Sequence, residues 1–177
     1  RRQMYGGPER RGMRKPLIMF TPKSLLRHPK VVSRAEEFTG GGFREVIGET
    51  SAMSADRVNR VLICSGKIYY DLVAARDERE ADNVAILRLE QMYPFPKKEL
   101  GDQLMRYAQT ADVVWVQEEP LNMGGWRVIS DFIQPLLDSS RRTLRYIGRP
   151  ESASPATGSY KTHAKEQQEI IDAAFSA

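Results

Sequence analysis

The stretch VLICSGKIYYDLVAARDEREADNVAIL, residues 61–87, decides the fold. It opens on an apolar run at 61–64, continues into a charged segment with apolar residues at helical spacing, and closes on a second apolar run at 84–87. Apolar runs without clean alternation are typical of strands that are covered on both faces. The stretch therefore predicts a strand, a helix over 68–80 and a further strand. The residues expected to face inward from this helix are Ile68, Leu72, Val73 and Ala75.

The same alternation continues to the C-terminus. Further strands are predicted at 113–116 and 144–147, and helices at 97–109, 126–138 and 161–175. Alternating strands and helices indicate an α/β fold in three layers, with a mostly parallel sheet and helices on both faces. The helix residues expected to face inward are Leu100, Leu104, Met105, Ala108, Val128, Ile129, Phe132, Ile133, Leu136, Ile170, Ile171, Ala174 and Phe175.

The N-terminal end is different in character. Residues 1–15 are a polar, glycine-containing connector that begins Arg-Arg without a Met, as if cut from a longer chain. The apolar run 17–20 predicts a short strand covered on both faces, residues 23–27 predict one helical turn, and Gly40-Gly41-Gly42 predicts a flexible break.

Charge is unevenly distributed along the 177 residues. The chain has 27 Lys and Arg against 23 Asp and Glu, a net charge of +4, but residues 1–30 alone carry nine basic residues and one acidic residue. Such a basic end is either a solvated arm or a nucleic-acid contact, and no zinc-finger, RRM or KH pattern supports the second interpretation. We therefore expect no nucleic-acid partner.

Composition excludes several classes of protein. A hydrophobic fraction of 41% supports a packed core, and no apolar run approaches the ~20 residues of a membrane span, so we expect no span. The single Cys64 excludes an internal disulfide framework and, with only His28 and His163, makes a Cys- or His-based metal site improbable. Cys64 lies in an apolar run and is expected to be an inert core thiol.

Three loops follow predicted strands and should meet at the carboxyl end of the sheet. The first, Ser65-Gly66-Lys67, opens a helix, where free N–H groups and the helix dipole favour an anion. It lacks the spacing of a P-loop. Two interpretations stay open: a simple helix cap with an exposed lysine, or a phosphate or other anion site.

The second loop begins with Gln117-Glu118-Glu119 and ends at Trp126. Its paired carboxylates could carry acid–base chemistry, but adjacent residues of an extended chain point in opposite directions. Gly124-Gly125 allows close backbone approach, and Trp126 could anchor an interface, so a structural or interface role is favoured over a catalytic one. The third loop, 149–158, shows no nucleophile–base pair, and His163 is interpreted as a capping or packing residue.

Five motifs resemble a known family, the C-terminal region of the decarboxylating first component of 2-oxoglutarate dehydrogenase. They occur in the family's order, and the resemblance runs nearly end to end: PKSLLRHP (22–29), SGKIYYDL (65–72), RLEQMYPFP (88–96), WVQEEPLN (115–122), and RP (149–150) with SPATG (154–158). Residues 6–11 match less closely and resemble an insertion.

The resemblance implies a function that the residues alone do not. The family decarboxylates 2-oxoglutarate in the tricarboxylic acid cycle with thiamine diphosphate and magnesium, and passes the succinyl group to a lipoyl arm. The resemblance implies a transketolase-like C-terminal domain with a sheet of about five strands, one of them possibly antiparallel. Catalytic and cofactor-binding residues would lie in earlier domains, so none is assigned here, and the isolated chain is expected to be inert.

The resemblance also implies domain boundaries, protein partners and a cellular compartment. Residues 1–30 would be the tail of a preceding pyrimidine-binding domain and 31–177 the transketolase-type domain. Partners would be the rest of the enzyme, a second copy in a homodimer, and the dihydrolipoyl succinyltransferase and dihydrolipoyl dehydrogenase components. The compartment would be the bacterial cytoplasm, or the mitochondrial matrix in a eukaryote.

Two sets of residues are carried forward as hypotheses. Because some relatives bind acyl-CoA or adenylate effectors near this domain, an effector site for an anion is predicted from Arg2, Lys23, Arg27, Ser65 and Lys67. An interface is predicted at Asn122, Gly124, Gly125 and Trp126. The alternative function is a stand-alone regulatory domain that binds a nucleotide or acyl-CoA effector.

Overall fold

The computed structural model of the chain describes residues 18–176. Contacts divide the chain into two units, Arg1–Thr39 and Gly40–Ala177. In the first unit, a 3₁₀ turn over Lys23–Arg27 confirms the predicted helical turn. A short helix, α1 (Ala35–Thr39), follows it.

The predicted strand at 17–20 is wrong for its described part. Ile18, Met19 and Phe20 form no strand and are exposed, with Phe20 at 98%. A strand needs a hydrogen-bonded neighbour, and residues 18–39 contain no other strand for it to pair with. Leu17 lies outside the described residues. The assignment of residues 1–30 to a preceding domain stays a prediction.

The second unit is built on a five-stranded sheet. Its strands are β1 (Val46–Ile47), β2 (Arg60–Cys64), β3 (Val84–Leu89), β4 (Asp112–Pro120) and β5 (Leu144–Arg149), in the order β1-β3-β2-β4-β5. The pairings β2–β3, β2–β4 and β4–β5 are parallel, and β1 is antiparallel to β3. This confirms the predicted mostly parallel sheet.

Helices cover both faces of the sheet, which confirms the three-layer α/β fold. They are α2 (Ile68–Glu78), α3 (Lys97–Leu104), α4 (Trp126–Leu137) and α5 (Tyr160–Phe175). Helices α3 and α4 pack on one face through Leu100 and Ile133, and α2 and α5 pack on the other through Leu72 and Ile170. Each fully buried leucine or isoleucine contributes about 1.5–3 kcal/mol. Within residues 18–176, no helix has both the length and the apolar character to cross a membrane.

Several helix residues face differently from the prediction. Helix α3 ends at Leu104 rather than 109, so Met105 and Ala108 are exposed and Tyr107 enters the core instead. In α4 the core stripe is Ile129, Ile133 and Leu137, while Val128 and Phe132 are 59% and 40% exposed. Two apolar stripes run side by side along α4, and periodicity alone does not distinguish them.

The direction of the strands sets the geometry of the candidate site. Because β2, β3, β4 and β5 are parallel, their carboxyl ends meet along one edge of the sheet, called here the carboxyl rim. The antiparallel β1 begins at this same rim, where the carbonyl of Glu45 accepts hydrogen bonds from the backbone N–H groups of Glu90 and Gln91, at 2.9 and 3.1 Å.

Candidate functional site

The three predicted loops lie together along the carboxyl rim. Residues 65–67 follow β2, residues 121–125 follow β4, and residues 150–159 follow β5. This edge is where open α/β sheets place their ligands. The structure therefore confirms that the loops singled out in the sequence share one edge of the sheet.

Lys67 is held by two carboxylates from different elements. Its Nζ lies 2.6 Å from Oε1 of Glu118 and 3.3 Å from Oδ2 of Asp71, which also accepts a hydrogen bond of 2.9 Å from Nε2 of Gln167. Burial alone would lower the pKa of Lys67, but the hydrogen bond and charge of Glu118 and the charge of Asp71 outweigh it and raise that pKa. Lys67 is therefore a fixed, protonated cation, not the exposed lysine of the simple-cap interpretation.

Ser65 lies next to Lys67 without capping α2. The N-cap position is occupied by Lys67, which makes no side-chain cap hydrogen bond. Gly66, at φ +78°, turns the chain between the strand and the helix, a conformation that glycine adopts without strain. The loop thus presents a part-buried hydroxyl and a paired ammonium at the start of a helix.

The remaining residues of the predicted effector set lie elsewhere in the chain. Lys23 and Arg27 are exposed on the 3₁₀ turn of the first unit, and Arg2 lies outside the described residues. The structure therefore brings together Ser65 and Lys67, which share one loop. The complete effector set stays a prediction.

Sequence reasoning missed the partners of Lys67. Asp71 could have been found, because it lies four residues along the same helix, a spacing that places side chains side by side. Glu118 lies 51 positions away and is brought close by the pairing of β2 with β4, in which Cys64 lies opposite Val116. Glu118 is half-buried in its ion pair with Lys67, whereas its neighbour Glu119 is exposed, so their surroundings differ.

Arg88 forms a second fixed cation near the carboxyl end of β3. Its guanidinium carbon lies 4.5 Å from the ring centroid of Tyr69 and 5.7 Å from that of Tyr70. Its Nη2 is 2.8 Å from Oε1 of Glu90. Burial would lower the pKa of Arg88, but Glu90 and the two tyrosines more than offset it and raise that pKa. The tyrosine pair packs on this cation, which the sequence did not indicate.

Gln117 organises the second loop from inside. Its Oε1 accepts hydrogen bonds from Nε1 of Trp115 at 2.8 Å and from the backbone N–H of Trp126 at 3.0 Å. Its Nε2 donates to the carbonyls of Pro120 at 3.1 Å and Met123 at 2.8 Å. Gln117 is only 3% exposed. One buried amide therefore connects the end of β4, the loop that follows it and the start of α4.

The two glycines make room for this arrangement. Gly124 has φ +66°, and a Cβ there would lie 2.9 Å from Nε2 of Gln117. A Cβ on Gly125 would lie 3.0 Å from the ring of Trp115. Trp126 is half-buried, and its ring centroid is 5.1 Å from that of Tyr146. The structure thus gives these residues roles within the chain, and their role in an interface stays a prediction.

Asn122 connects the second loop to the third. Its Nδ2 donates to the carbonyl of Ser152 at 3.0 Å, and its Oδ1 accepts from the backbone N–H of Ser152 at 3.1 Å. The Asn122 amide thus makes the same pair of hydrogen bonds with Ser152 that a backbone segment of a neighbouring strand would make. In the third loop, Nε of Arg149 lies 2.9 Å from Oε2 of Glu166, which ties the loop to α5.

Two other residues singled out in the sequence, Cys64 and His163, have different surroundings. Cys64 is fully buried, and this burial raises the pKa of its thiol to about 12, which confirms the predicted inert core thiol. The interpretation of His163 as a capping or packing residue is wrong, because His163 is exposed in the first turn of α5 and Ser159 is the N-cap that accepts a hydrogen bond from the backbone N–H of Thr162. Within residues 18–176, no cluster of His, Cys, Asp and Glu side chains has the arrangement of a metal site.

Comparison with known proteins connects the chain to one family. The family model described as "2-oxoglutarate dehydrogenase C-terminal" matches residues 32–175. The 2-oxoglutarate dehydrogenase E1 component of Cupriavidus necator is 45% identical over 175 residues, which are 99% of this chain and 18% of that protein. The E1 component of Haemophilus influenzae is 46% identical over 94% of this chain and 18% of its own length. The chain thus spans about a fifth of these relatives.

A solved structure supports the fold alone. A chain described as "Split gene transketolase, inactive beta4 tetramer" superposes with a TM-score of 0.50 at 12% identity, over 75% of this chain and 41% of that one. The predicted likeness to the transketolase C-terminal domain is therefore confirmed at the level of architecture.

Proposed function

We propose, because this chain belongs to the 2-oxoglutarate dehydrogenase C-terminal family, that it is the C-terminal portion of a thiamine-diphosphate-dependent 2-oxoglutarate dehydrogenase. The observation that carries the proposal is the match of nearly the whole chain, at 45% identity, to 18% of the length of one E1 component. The complete enzyme would decarboxylate 2-oxoglutarate and transfer the succinyl group to a lipoyl group. The alternative of a stand-alone regulatory domain has no support in the comparisons.

The described residues do not fit the cofactor. Thiamine diphosphate is bound with magnesium, a cation that prefers carboxylate and other oxygen ligands. The part of the chain that the structure describes offers no clustered carboxylates for such an ion. The proposal therefore assigns the cofactor and the decarboxylation to regions outside this chain, and we derive no step of the reaction here.

The role proposed for this chain is to frame the active site and support assembly. Residues 31–177 would form the C-terminal domain, and residues 1–30 the tail of the preceding one. The loop of Asn122, Gly124, Gly125 and Trp126 would face a second copy in a homodimer. The other partners would be the rest of the same enzyme and the succinyltransferase and dihydrolipoyl dehydrogenase components. The bacterial relatives favour the cytoplasm as the compartment.

The direct test of the function compares this chain alone with a chimera. In the chimera, the matching segment of the Cupriavidus necator E1 component is replaced by this chain. We expect reduction of ferricyanide with 2-oxoglutarate by the chimera and none by the 177-residue chain. Turnover by the chain alone would show that the residues for decarboxylation lie within this chain, which contradicts the proposal. A folded, cofactor-loaded chimera without turnover would contradict the assignment to this enzyme.

A second prediction concerns the effector site. The loop of Ser65 and Lys67 would bind the phosphate of an acyl-CoA, and Glu118 competes with that phosphate for Lys67. In the intact enzyme, Glu118→Gln should tighten acetyl-CoA binding about 2- to 5-fold, the value of one partly exposed ion pair. Lys67→Ala should weaken it about tenfold, because a charged hydrogen bond is lost.

Calorimetry with acetyl-CoA measures both effects. Lys165→Ala is the matched control, since Lys165 is 76% exposed on α5 and forms an ion pair with Glu169. Its affinity for acetyl-CoA should equal that of the unmodified enzyme. Unchanged affinity in the folded Lys67→Ala variant would remove Lys67 from the effector site.

A further inference from the structure

A cleft on one face of the sheet is lined by α3, by the end of α4 and by the segments that follow these helices, and its residues take no part in the rim described above. We call it the α3–α4 cleft. Its volume is about 720 Å³, which lies within the range of small-molecule sites, roughly 300–1,000 Å³. The wall includes the apolar side chains of Leu104, Met105 and Leu136 and the polar side chains of Tyr107, Ser140 and Arg142.

Arg142 is held in place with part of its guanidinium unsatisfied. Its Nε donates to Oγ of Ser140 at 2.7 Å, and that hydroxyl donates to the carbonyl of Leu137 at 2.8 Å. Its Nη1 is buried and has no hydrogen-bond partner within residues 18–176. Burial lowers the pKa of Arg142, as it does for a cation without a compensating carboxylate. The side chain is therefore oriented before any ligand arrives.

Tyr107 adds a second unsatisfied donor. The side chain lines the cleft and is only 6% exposed, and its hydroxyl is buried without a hydrogen-bond partner in the described part of the chain. Burial raises the pKa of Tyr107, so the hydroxyl keeps its proton. Buried polar groups without partners are rare in folded proteins, because each one loses the hydrogen bonds that it makes in water.

These two donors define the ligand that fits. Both lack an acceptor, and one of them is cationic, so the missing group is an anion. A guanidinium has two parallel N–H groups that match the two oxygens of a carboxylate. Asp102, a carboxylate in the wall, is already paired with Lys98, with Nζ and Oδ2 2.6 Å apart. The apolar wall provides room for a hydrocarbon chain beside the charged group.

We propose that the α3–α4 cleft binds a small carboxylate that carries an apolar chain. The carboxylate lies on Arg142 and Tyr107, and the chain packs against Leu104, Met105 and Leu136. The site is independent of the effector loop at Lys67 and of the proposed enzymatic function.

The test is a calorimetric titration of octanoate, with octanol as its neutral counterpart, into the intact protein that carries this chain. Octanoate should bind saturably and octanol at least about tenfold more weakly, because octanol lacks the charge that Arg142 recognises. Arg142→Met should weaken octanoate about tenfold or more. Arg141→Met is the matched control, since Arg141 is the exposed neighbour outside the cleft wall, and it should change nothing.

A second pair of variants separates binding from folding. A Cβ on Gly101 meets only Cδ2 of Leu136, at 3.8 Å, so Gly101→Ala should fold normally. Gly101→Met extends into the cleft and should abolish octanoate binding. Tyr107→Phe removes a hydroxyl that has no partner within the described residues, so the melting temperature should not fall. Octanoate binding should weaken several-fold, because the carboxylate loses one donor.

Two results would overturn the proposal. One is the absence of saturable octanoate binding. The other is equal octanoate affinity in folded Arg142→Met and Arg141→Met proteins. If Arg142→Met does not fold, unchanged affinity in both Tyr107→Phe and Gly101→Met would overturn the proposal in the same way.

Discussion

Replacing Gln117 with leucine is expected to reduce the free energy of unfolding by about 3–4 kcal/mol. The change removes the acceptor of the indole N–H of Trp115 and of the backbone N–H of Trp126, and it removes the side-chain donor to the carbonyl of Met123. Each buried polar group left without a partner costs about 1–3 kcal/mol. Leucine has a similar volume, so the loss reflects hydrogen bonding more than packing.

Fluorescence during urea denaturation of this chain measures the effect directly. The chain has two tryptophans, and both donate to the same oxygen of Gln117. Gln168→Leu is the matched control, because Gln168 is exposed on α5 and should change the free energy of unfolding by less than about 0.5 kcal/mol. A Gln117→Leu protein as stable as this control would show that the loop does not depend on the amide.

Arg76→Met should cost about 3–5 kcal/mol, because it breaks a buried ion pair and leaves a carboxylate behind. Nη1 of Arg76 lies 2.8 Å from Oε2 of Glu49, and their side chains are 8% and 5% exposed. Glu49 also accepts hydrogen bonds from the backbone N–H groups of Ile86 at 2.8 Å and Ser51 at 2.7 Å. The pair thus connects α2 to Glu49 in the segment after β1, and Glu49 in turn binds the backbone of β3.

The loss caused by Arg76→Met should depend on pH. Burial would raise the pKa of Glu49, but the N–H groups of Ile86 and Ser51 and the charge of Arg76 outweigh it and lower that pKa below its ordinary value of 4.5. A carboxyl with a lowered folded-state pKa stabilises the protein above its unfolded-state value, and this contribution is lost as pH falls through the folded-state value. The difference in the free energy of unfolding between Arg76→Met and the unmodified chain should therefore be largest at neutral pH and decrease below pH 4.5.

Urea denaturation at several pH values tests this prediction. Lys98→Met is the matched control, because Lys98 is 82% exposed in its pair with Asp102 and such surface pairs contribute about 1 kcal/mol or less. A loss in Arg76→Met below about 1 kcal/mol, or one that stays constant with pH, would contradict the role given to the pair.

The sheet was predictable because its strands are buried on both faces. Apolar runs such as 61–64 and 84–87 predict such strands from local sequence alone. The sequence did not locate β1 at Val46–Ile47, because two residues give no pattern and the strand depends on β3 as its neighbour. The stripe of α4 that faces the sheet was also ambiguous, because Val128 and Ile129 are equally apolar.

The candidate site was predictable in place but not in chemistry. The loops at Ser65 and Gln117 could be located, since both follow recognisable strands. The charge state of the site could not, because Glu118 reaches Lys67 only through the pairing of two strands distant in sequence. The central amide of Gln117 gave no local signal either, since its partners depend on the course of the loop.

The antiparallel direction of β1 determines at which edge of the sheet the chain enters. Residues 40–45 arrive at the carboxyl rim, where Lys67 and Glu118 lie, while the last turn of α5 lies at the opposite rim, where Nη1 of Arg60 donates to the carbonyl of Ala174 at 3.1 Å. Incoming and outgoing chain are therefore separated by the full length of the strands. A pull on residues 40–45 would therefore act first on the two residue pairs that join β1 to β3, at the edge of the sheet.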